Sequence, residues 1–470
     1  MANTNFTRTY GASSNKGTVS MWVKRCSNAA NMLYKNVSTT GSTNYGNIEI
    51  AASGVIEMMT VTSGSHTCKR ETTQKFTDNN AWYHFVFSSD TDNSTPADRL
   101  IIWVNGERIT DFVTEDSAAG ATNYLHSISG TNENVIGSTH SSSGYLDGYM
   151  AQVVVVHGSQ LNASVFAETD ATTGEWKPKA DADVRSAVTF GTQGAMLTFQ
   201  NVSYPGYDYQ TSDRSGTTND YTKSGSGFQS VDTPSNNFAL INGSFASTGT
   251  SSNVSKTLTY GNLTGYPTGN NGLVANMGAS KGKWYWEVRP VAAYAMMGII
   301  SGSAASLGTY DADYASGFTT YGGNKAIMVG TAGSDLQLMN VTTSDTTWGT
   351  ALNESTDVLG VAMDLDNNNI YFSVNGVWQN SGVPTSGATG TGAVAITVQS
   401  GFPALGDEVW LPAQHSFSGT ATVQYNFGQG YFATTSAGAT NADDAGQGVF
   451  KYDVPAGFYA LCTQNLKTYG

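Results

Sequence analysis

Residues 357–378 read DVLGVAMDLDNNNIYFSVNGVW. Leu359, Val361, Met363 and Leu365 stand at alternate positions, with Gly360, Ala362 and Asp364 between them. After Asp366-Asn367-Asn368-Asn369 the alternation resumes at Ile370, Phe372 and Val374. Successive side chains of a strand point to opposite faces, so the pattern predicts an antiparallel hairpin with one buried face. Asn375-Gly376 predicts a second tight turn, because both residue types tolerate positive φ. A weaker copy, LIIWVNGERI at 100–109, carries Asn105-Gly106 in the same place. Two such units in one chain predict two β-sandwich domains.

The composition agrees. The chain has 470 residues, enough for two or three domains with their own cores. Only 12% are charged, 11% are aromatic and 53 are glycine, the profile of a turn-rich β protein and not of disorder. A net charge of −14 disfavours nucleic acid as a partner. No apolar run approaches the roughly 20 residues of a membrane span. The opening MANTNFTRTYGASSNKG lacks an apolar stretch, so no secretory signal is expected. Cys26, Cys68 and Cys462 are too few for a disulfide framework. They read as buried free thiols, with a Cys26–Cys68 bridge left as the alternative.

The first domain is placed at 1–175. Its strands are read at Thr18–Arg25, Asn47–Thr62, Trp82–Phe87, Leu100–Ile109, Asn134–Gly137 and Gly148–Val156, with almost no helical period. The series SMWVKR, WYHFVF, RLIIWVNGERI, VIGS and YLDGYMAQVVVVHGSQL resembles the laminin-G or concanavalin-like jelly roll, in the form common in bacteriophage tail and virion proteins. That resemblance implies a sugar-binding rim, sometimes built around calcium. Asp90, Asp92 and Asp98, in the loop 89–99, are the candidate calcium ligands, because calcium takes several oxygen ligands from such loops. A solvated acidic turn is the plainer reading, since the loop lacks the Gly and closing Glu of an EF-hand. The histidines show no zinc-ligand spacing, and His84 is expected to point outward from its strand.

Residues 176–232 read as an ordered connector with short strands, too aromatic for a free linker, with an aromatic turn at Tyr204-Pro205-Gly206-Tyr207-Asp208-Tyr209. The second domain spans 233–470. Its series GKWYWEV, MGII, DVLGVAMDLDNNNIYFSVNG, LPA and VQYNFGQ resembles the SPRY domain, and its flanks DTPSNNFA and YDVPAGFYALCTQNL resemble the phage-type SPRY unit. SPRY resemblance implies a binding module that meets its partner through loops at one rim. The candidate loops are 301–320 and 334–350, and the candidate binding residues are Tyr310, Tyr314, Tyr321 and Trp348. Loops rich in Tyr, Ser and Gly suit adaptable recognition. Trp284-Tyr285-Trp286 is either core or, on one parity, an exposed ring for a sugar.

No catalytic constellation is visible. Glu287, Asp364, Glu168 and Glu175 cannot be paired as glycosidase carboxylates from sequence, and no G-x-S-x-G elbow occurs. The chain therefore reads as a non-enzymatic, all-β protein: two concanavalin-like antiparallel sandwiches, the second SPRY-like. The resemblance implies a structural protein of a bacteriophage virion, made in the host cytoplasm. It would be a tail-fibre or appendage subunit, most simply a homotrimer, that docks on other virion proteins and binds a host surface glycan or protein. A capsid fibre, decoration or connector role and a polysaccharide depolymerase are the alternatives.

Overall fold

The computed structural model describes residues 3–11, 13–38, 43–117, 122–126, 132–140, 143–216, 219–244, 256–267, 272–291, 295–303, 326–332, 335–339, 344–397, 406–416 and 421–470. The chain forms two compact units, Met1–Gln229 and Ser230–Gly470. Each is an antiparallel β-sandwich.

In the first unit an eight-stranded sheet runs, in spatial order, Phe112–Ser117, Ser65–Thr72, Ile56–Thr62, Tyr45–Ile50, Asn31–Ser38, Asn132–Ile136, Asn5–Tyr10 and Thr222–Ser224. A six-stranded sheet runs Ala195–Leu197, Gly148–His157, Lys16–Arg25, Trp82–Asp90, Leu100–Val104 and Glu107–Arg108. Alternate residues meet between them: Val19, Met21, Phe85, Phe87 and Ile102 from one sheet, Tyr34, Ile48, Ile50, Ile56 and Met58 from the other. Val153-Val154-Val155-Val156 breaks the alternation because its strand is buried on both faces. Val153 and Val155 face the other sheet, while Val154 and Val156 join Val86, Phe166, Val184, Phe190 and Met196 in a second core. Each such fully buried side chain contributes about 1.5–3 kcal/mol.

That second core is supplied by the segment following the sandwich, so the boundary expected at 175 falls inside the unit. A bulge at Gln152 (φ 41°) aims the Gln152 amide at Lys179 O, 3.0 Å away, and at Asp181 Oδ1, 2.9 Å away. Further on, Arg8 donates to Gln193 O (2.6 Å) and Asn219 O (3.0 Å), and Thr222–Ser224 pairs with Asn5–Tyr10. The connector is thus ordered, and up to Gln229 it belongs to the first unit. Cys26, Cys68 and Cys462 are buried, and none of them is in a disulfide.

In the second unit one sheet runs Lys256–Thr259, Thr264–Pro267, Val423–Asn426, Lys283–Pro290, Leu359–Asp364, Asn369–Val374 and Val377–Trp378. The facing sheet runs Gly272–Val274, Trp410–Ser416, Ala295–Ser301, Ala326–Ala332, Asp335–Met339 and Ser344–Thr350. The expected hairpin is present in register, Leu359↔Val374 through Asp364↔Asn369. Both Asn-Gly turns place both residues at positive φ: 49° and 89° at 105–106, 51° and 80° at 375–376.

One expectation is corrected. The hairpin is buried on both faces, not one. Ala362 and Tyr371 pack with Tyr285, Phe238, Phe450, Phe458, Ala460 and Cys462, so residues 450–462 cover the face that alternation assigns to solvent. This explains the small residues between the large ones. A Cβ at Gly360 would lie 2.4 Å from Ser373 Oγ and 3.0 Å from the Tyr285 hydroxyl oxygen.

Glu287 fastens this cover. Its buried carboxylate accepts from Lys451 N (2.9 Å), Tyr452 N (2.8 Å), Asn426 Nδ2 (3.0 Å) and the Tyr285 hydroxyl (3.3 Å). Burial pushes the Glu287 carboxyl above its ordinary range, and these four donors oppose that shift. Glu287→Ala would leave buried donors without an acceptor, each costing about 1–3 kcal/mol. We expect denaturant unfolding of the second unit to weaken by at least about 3 kcal/mol, with proteolysis first in the segment after residue 432.

Candidate binding surface

Of the four candidate binding residues, the structure describes one. Tyr310, Tyr314 and Tyr321 lie outside the described residues. Trp348 is described, but on the strand Ser344–Thr350 and not in a loop. That strand pairs with Asp335–Met339, so much of the expected loop 334–350 is a strand pair. Trp348 is half-buried and meets Phe372 edge-on, ring centroids 5.9 Å apart. Trp284, Tyr285 and Trp286 are all buried, which removes the exposed-ring reading of that strand.

Nor do Asp90, Asp92 and Asp98 converge on an ion. Asp90 pairs with Lys16 at 2.9 Å and Asp98 with Arg108 at 2.7 Å, while Asp92 accepts from Asn15 Nδ2 at 2.9 Å. Among the described residues no group of three His, Cys, Asp or Glu side chains is placed to hold a metal. The loop is an acidic turn whose carboxylates are answered by neighbouring cations and an amide.

His84 points inward, contrary to expectation. It is fully buried, stacks on Trp22 (4.7 Å between centroids) and bonds Ser20 Oγ through Nε2 at 2.9 Å. The Trp176 indole N–H donates to its Nδ1 at 3.1 Å. An indole nitrogen only donates, so Nδ1 carries no proton and the Nε2 tautomer is fixed. Trp176 comes from the segment beyond the sandwich, which no strand period could have linked to His84.

The surface that sequence reading passed over is the turn 201–209. Asn201 Oδ1 accepts Tyr204 N at 2.9 Å, and Tyr204 O accepts Tyr207 N at 3.1 Å. The Pro205-Gly206 turn thereby brings the Tyr204 and Tyr207 rings into a stack, 4.9 Å apart and 12° from parallel. Arg214 lies 3.5 Å over the Tyr207 ring and is held by both oxygens of Asp220, at 2.7 and 2.6 Å. Asp220 also accepts Asp208 N at 2.8 Å. Tyr207 is therefore clamped, while Tyr204 at the end of the ladder is 60% exposed. A signal was present: two tyrosines three apart around Pro-Gly, since a turn brings its ends within about 7 Å.

Residues 3–166 match the Laminin_G_3 family model, described as the Concanavalin A-like lectin/glucanases superfamily. No curated protein matches the chain. Among solved structures, the PSpry domain of TRIM65 is similar over 40% of this chain and 91% of its own, at 14% identity and a TM-score of 0.26. A native heptameric SAP-like pentraxin from Limulus polyphemus is similar over 42% and 84%, at 14% identity and 0.28. The SPRY domain of human HERC1 is similar over 40% and 87%, at 13% identity and 0.22.

The buried imidazoles give a pH signature. Burial lowers His84 and His126 from 6.5 to about 3. Both folded values lie below the unfolded one, so their stabilisation is present above pH 6.5 and is lost as pH falls towards 3. Each contributes a slope of about 1.4 kcal/mol per pH unit in that window. Measured between pH 6 and 4, the unfolding free energy of the first unit should take up about one proton fewer in His126→Phe than in the parent.

Proposed function

We propose that this chain is a non-enzymatic adhesive subunit of a bacteriophage virion, carried on the tail or another external appendage, that binds a host surface glycan. The single observation behind the reading is the Tyr204–Tyr207–Arg214 ladder. It is a stacked aromatic ring, 60% exposed and locked from beneath. A ring held this way offers an apolar face to a pyranose without losing side-chain freedom on binding. The lectin description attached to the match over residues 3–166 supports the ligand class. The virion assignment rests on the resemblance of both halves to phage appendage domains. A net charge of −14 fits a partner that is not a polyanion.

Homo-oligomerisation, with a trimer as the simplest form, completes the proposal. It rests on the same resemblance to phage appendage proteins and on a surface with few charges, 12% of the residues. Sedimentation of the purified chain should give a mass near three times 49.5 kDa.

Tyr204→Ala should lower adsorption of the assembled particle at least tenfold with assembly intact, and Tyr204→Trp should retain it. Normal adsorption of the Ala particle, or a Tyr204 buried against a neighbouring virion protein, would favour a purely structural role.

A further inference from the structure

The outer face of the eight-stranded sheet sets a lysine, an asparagine and a glutamate side by side. Asn47 and Glu49 alternate with Ile48 and Ile50, which lie in the core, so they project from the opposite face. Lys35 is the direct partner of Asn47 across the strands Asn31–Ser38 and Tyr45–Ile50, and Met59 flanks Asn47 on the other side. Side chains directly opposite have Cβ atoms about 4.5–5.5 Å apart, within the sweep of a lysine stem. Lys35 does lean over this strand: its Nζ sits 4.2 Å from the centroid of the Tyr45 ring, which shares the face of Asn47.

A lysine beside an asparagine on an open surface is inert, because water holds the amine as a hydrated ammonium. Here water is largely shut out: Asn47 is only 4% exposed, and Lys35 and Glu49 are half-buried. Burial holds the Lys35 ammonium below its ordinary range against the opposing charge of Glu49, which enlarges the share present as free amine, a nucleophile. The Asn47 side chain bonds Glu49, and its Oδ1 has no hydrogen-bond partner, so the Nδ2 end is the one that meets the carboxylate. The amide carbon thus has its leaving nitrogen on a proton carrier and its oxygen untied. Burial, and then the charge of Glu57, push the Glu49 carboxyl up, towards the range in which a carboxyl both takes and returns a proton. Lys69 is occupied by Glu57 at 3.2 Å and Glu71 at 2.9 Å, so Lys35 is the amine that faces Asn47.

We propose that Lys35 and Asn47 join in an intramolecular isopeptide bond, with Glu49 as the proton carrier. The neutral Lys35 amine swings from the Tyr45 ring onto Asn47 Cγ and forms the new C–N bond. Glu49 takes the surplus proton from Nζ and delivers it to Nδ2; the Cγ–Nδ2 bond breaks and ammonia leaves. Nothing is oxidised or reduced, and the product is a secondary amide that ties two neighbouring strands together. Such a bond needs no oxidising surroundings, which suits a chain whose three cysteines are in no disulfide. It uses no residue of the Tyr204 platform.

The test is the intact mass of the purified full chain, measured after denaturation, with sequencing of its proteolytic peptides. The expected mass lies below that of the sequence by one ammonia, about 17 Da, and a branched peptide joins residue 35 to residue 47. Glu49→Gln, which keeps the size of the side chain but cannot carry the proton, and Lys35→Met should both show the full mass of their sequences and no branched peptide. Lys35→Met, at a half-buried position, keeps the test open should Glu49→Gln fold poorly. The proposal is overturned if the parent has its full sequence mass, or if Glu49→Gln forms the bond as readily as the parent. It is overturned equally if the ammonia loss persists in Lys35→Met, as a succinimide at an Asn-Gly turn would.

Discussion

A carboxylate shut away from water organises the second unit. Glu287 sits on the strand Lys283–Pro290 in the middle of a sheet, where an uncompensated charge would be prohibitive. Its oxygens are satisfied by two backbone N–H groups at 451–452, the Asn426 amide and the Tyr285 hydroxyl. Asn426 in turn accepts from Gly428 N and Gly430 N and donates to Val449 O. Asp443 continues the pattern by accepting from Ala460 N and the buried Asn465 amide. A polar network of this kind must be complete to be tolerated, and so it fixes one path for residues 426–465. Apolar packing then follows that path, with Phe450, Phe458 and Cys462 closing over Tyr285 and Tyr371.

The first unit solves the same problem with different chemistry. Its six-stranded sheet also has a second face to cover, and residues 161–199 cover it with Phe166, Val184 and Phe190. The outlying anchors are Gln152 on Lys179 and Asp181, and Arg8 on Gln193 and Asn219. Both units are thus sandwiches with an added half-layer drawn from sequence that follows the strands it covers.

Strand identity was legible because alternation and Asn-Gly turns are local. The hairpin register, both turns and the all-β class all follow from residues a few positions apart. Burial on the second face was not legible, because the residues that supply it lie 80 to 100 positions downstream of Ala362 and carry no period of their own. One hint was available in the run of four valines at 153–156, which suits a strand covered on both sides. The candidate site followed the same division. Chemistry of residue type pointed to aromatic, acidic and loop residues, but whether a ring is exposed depends on what lies over it. Trp348 fell on a strand, two of the three aspartates met cations and the third an amide, and the ring left open belonged to a turn read as connector.

The pairing of Asn5–Tyr10 with Thr222–Ser224 bears on how the chain is made. A ribosome adds about 5–20 residues per second, so the first strand waits on the order of ten seconds or more before its outer neighbour exists. Until then that sheet edge is an open template for a nascent copy on the same message. The late closing strand therefore works as a timing element in synthesis: the order in which the polypeptide emerges leaves the N-terminal edge available for exchange between copies until the unit is sealed.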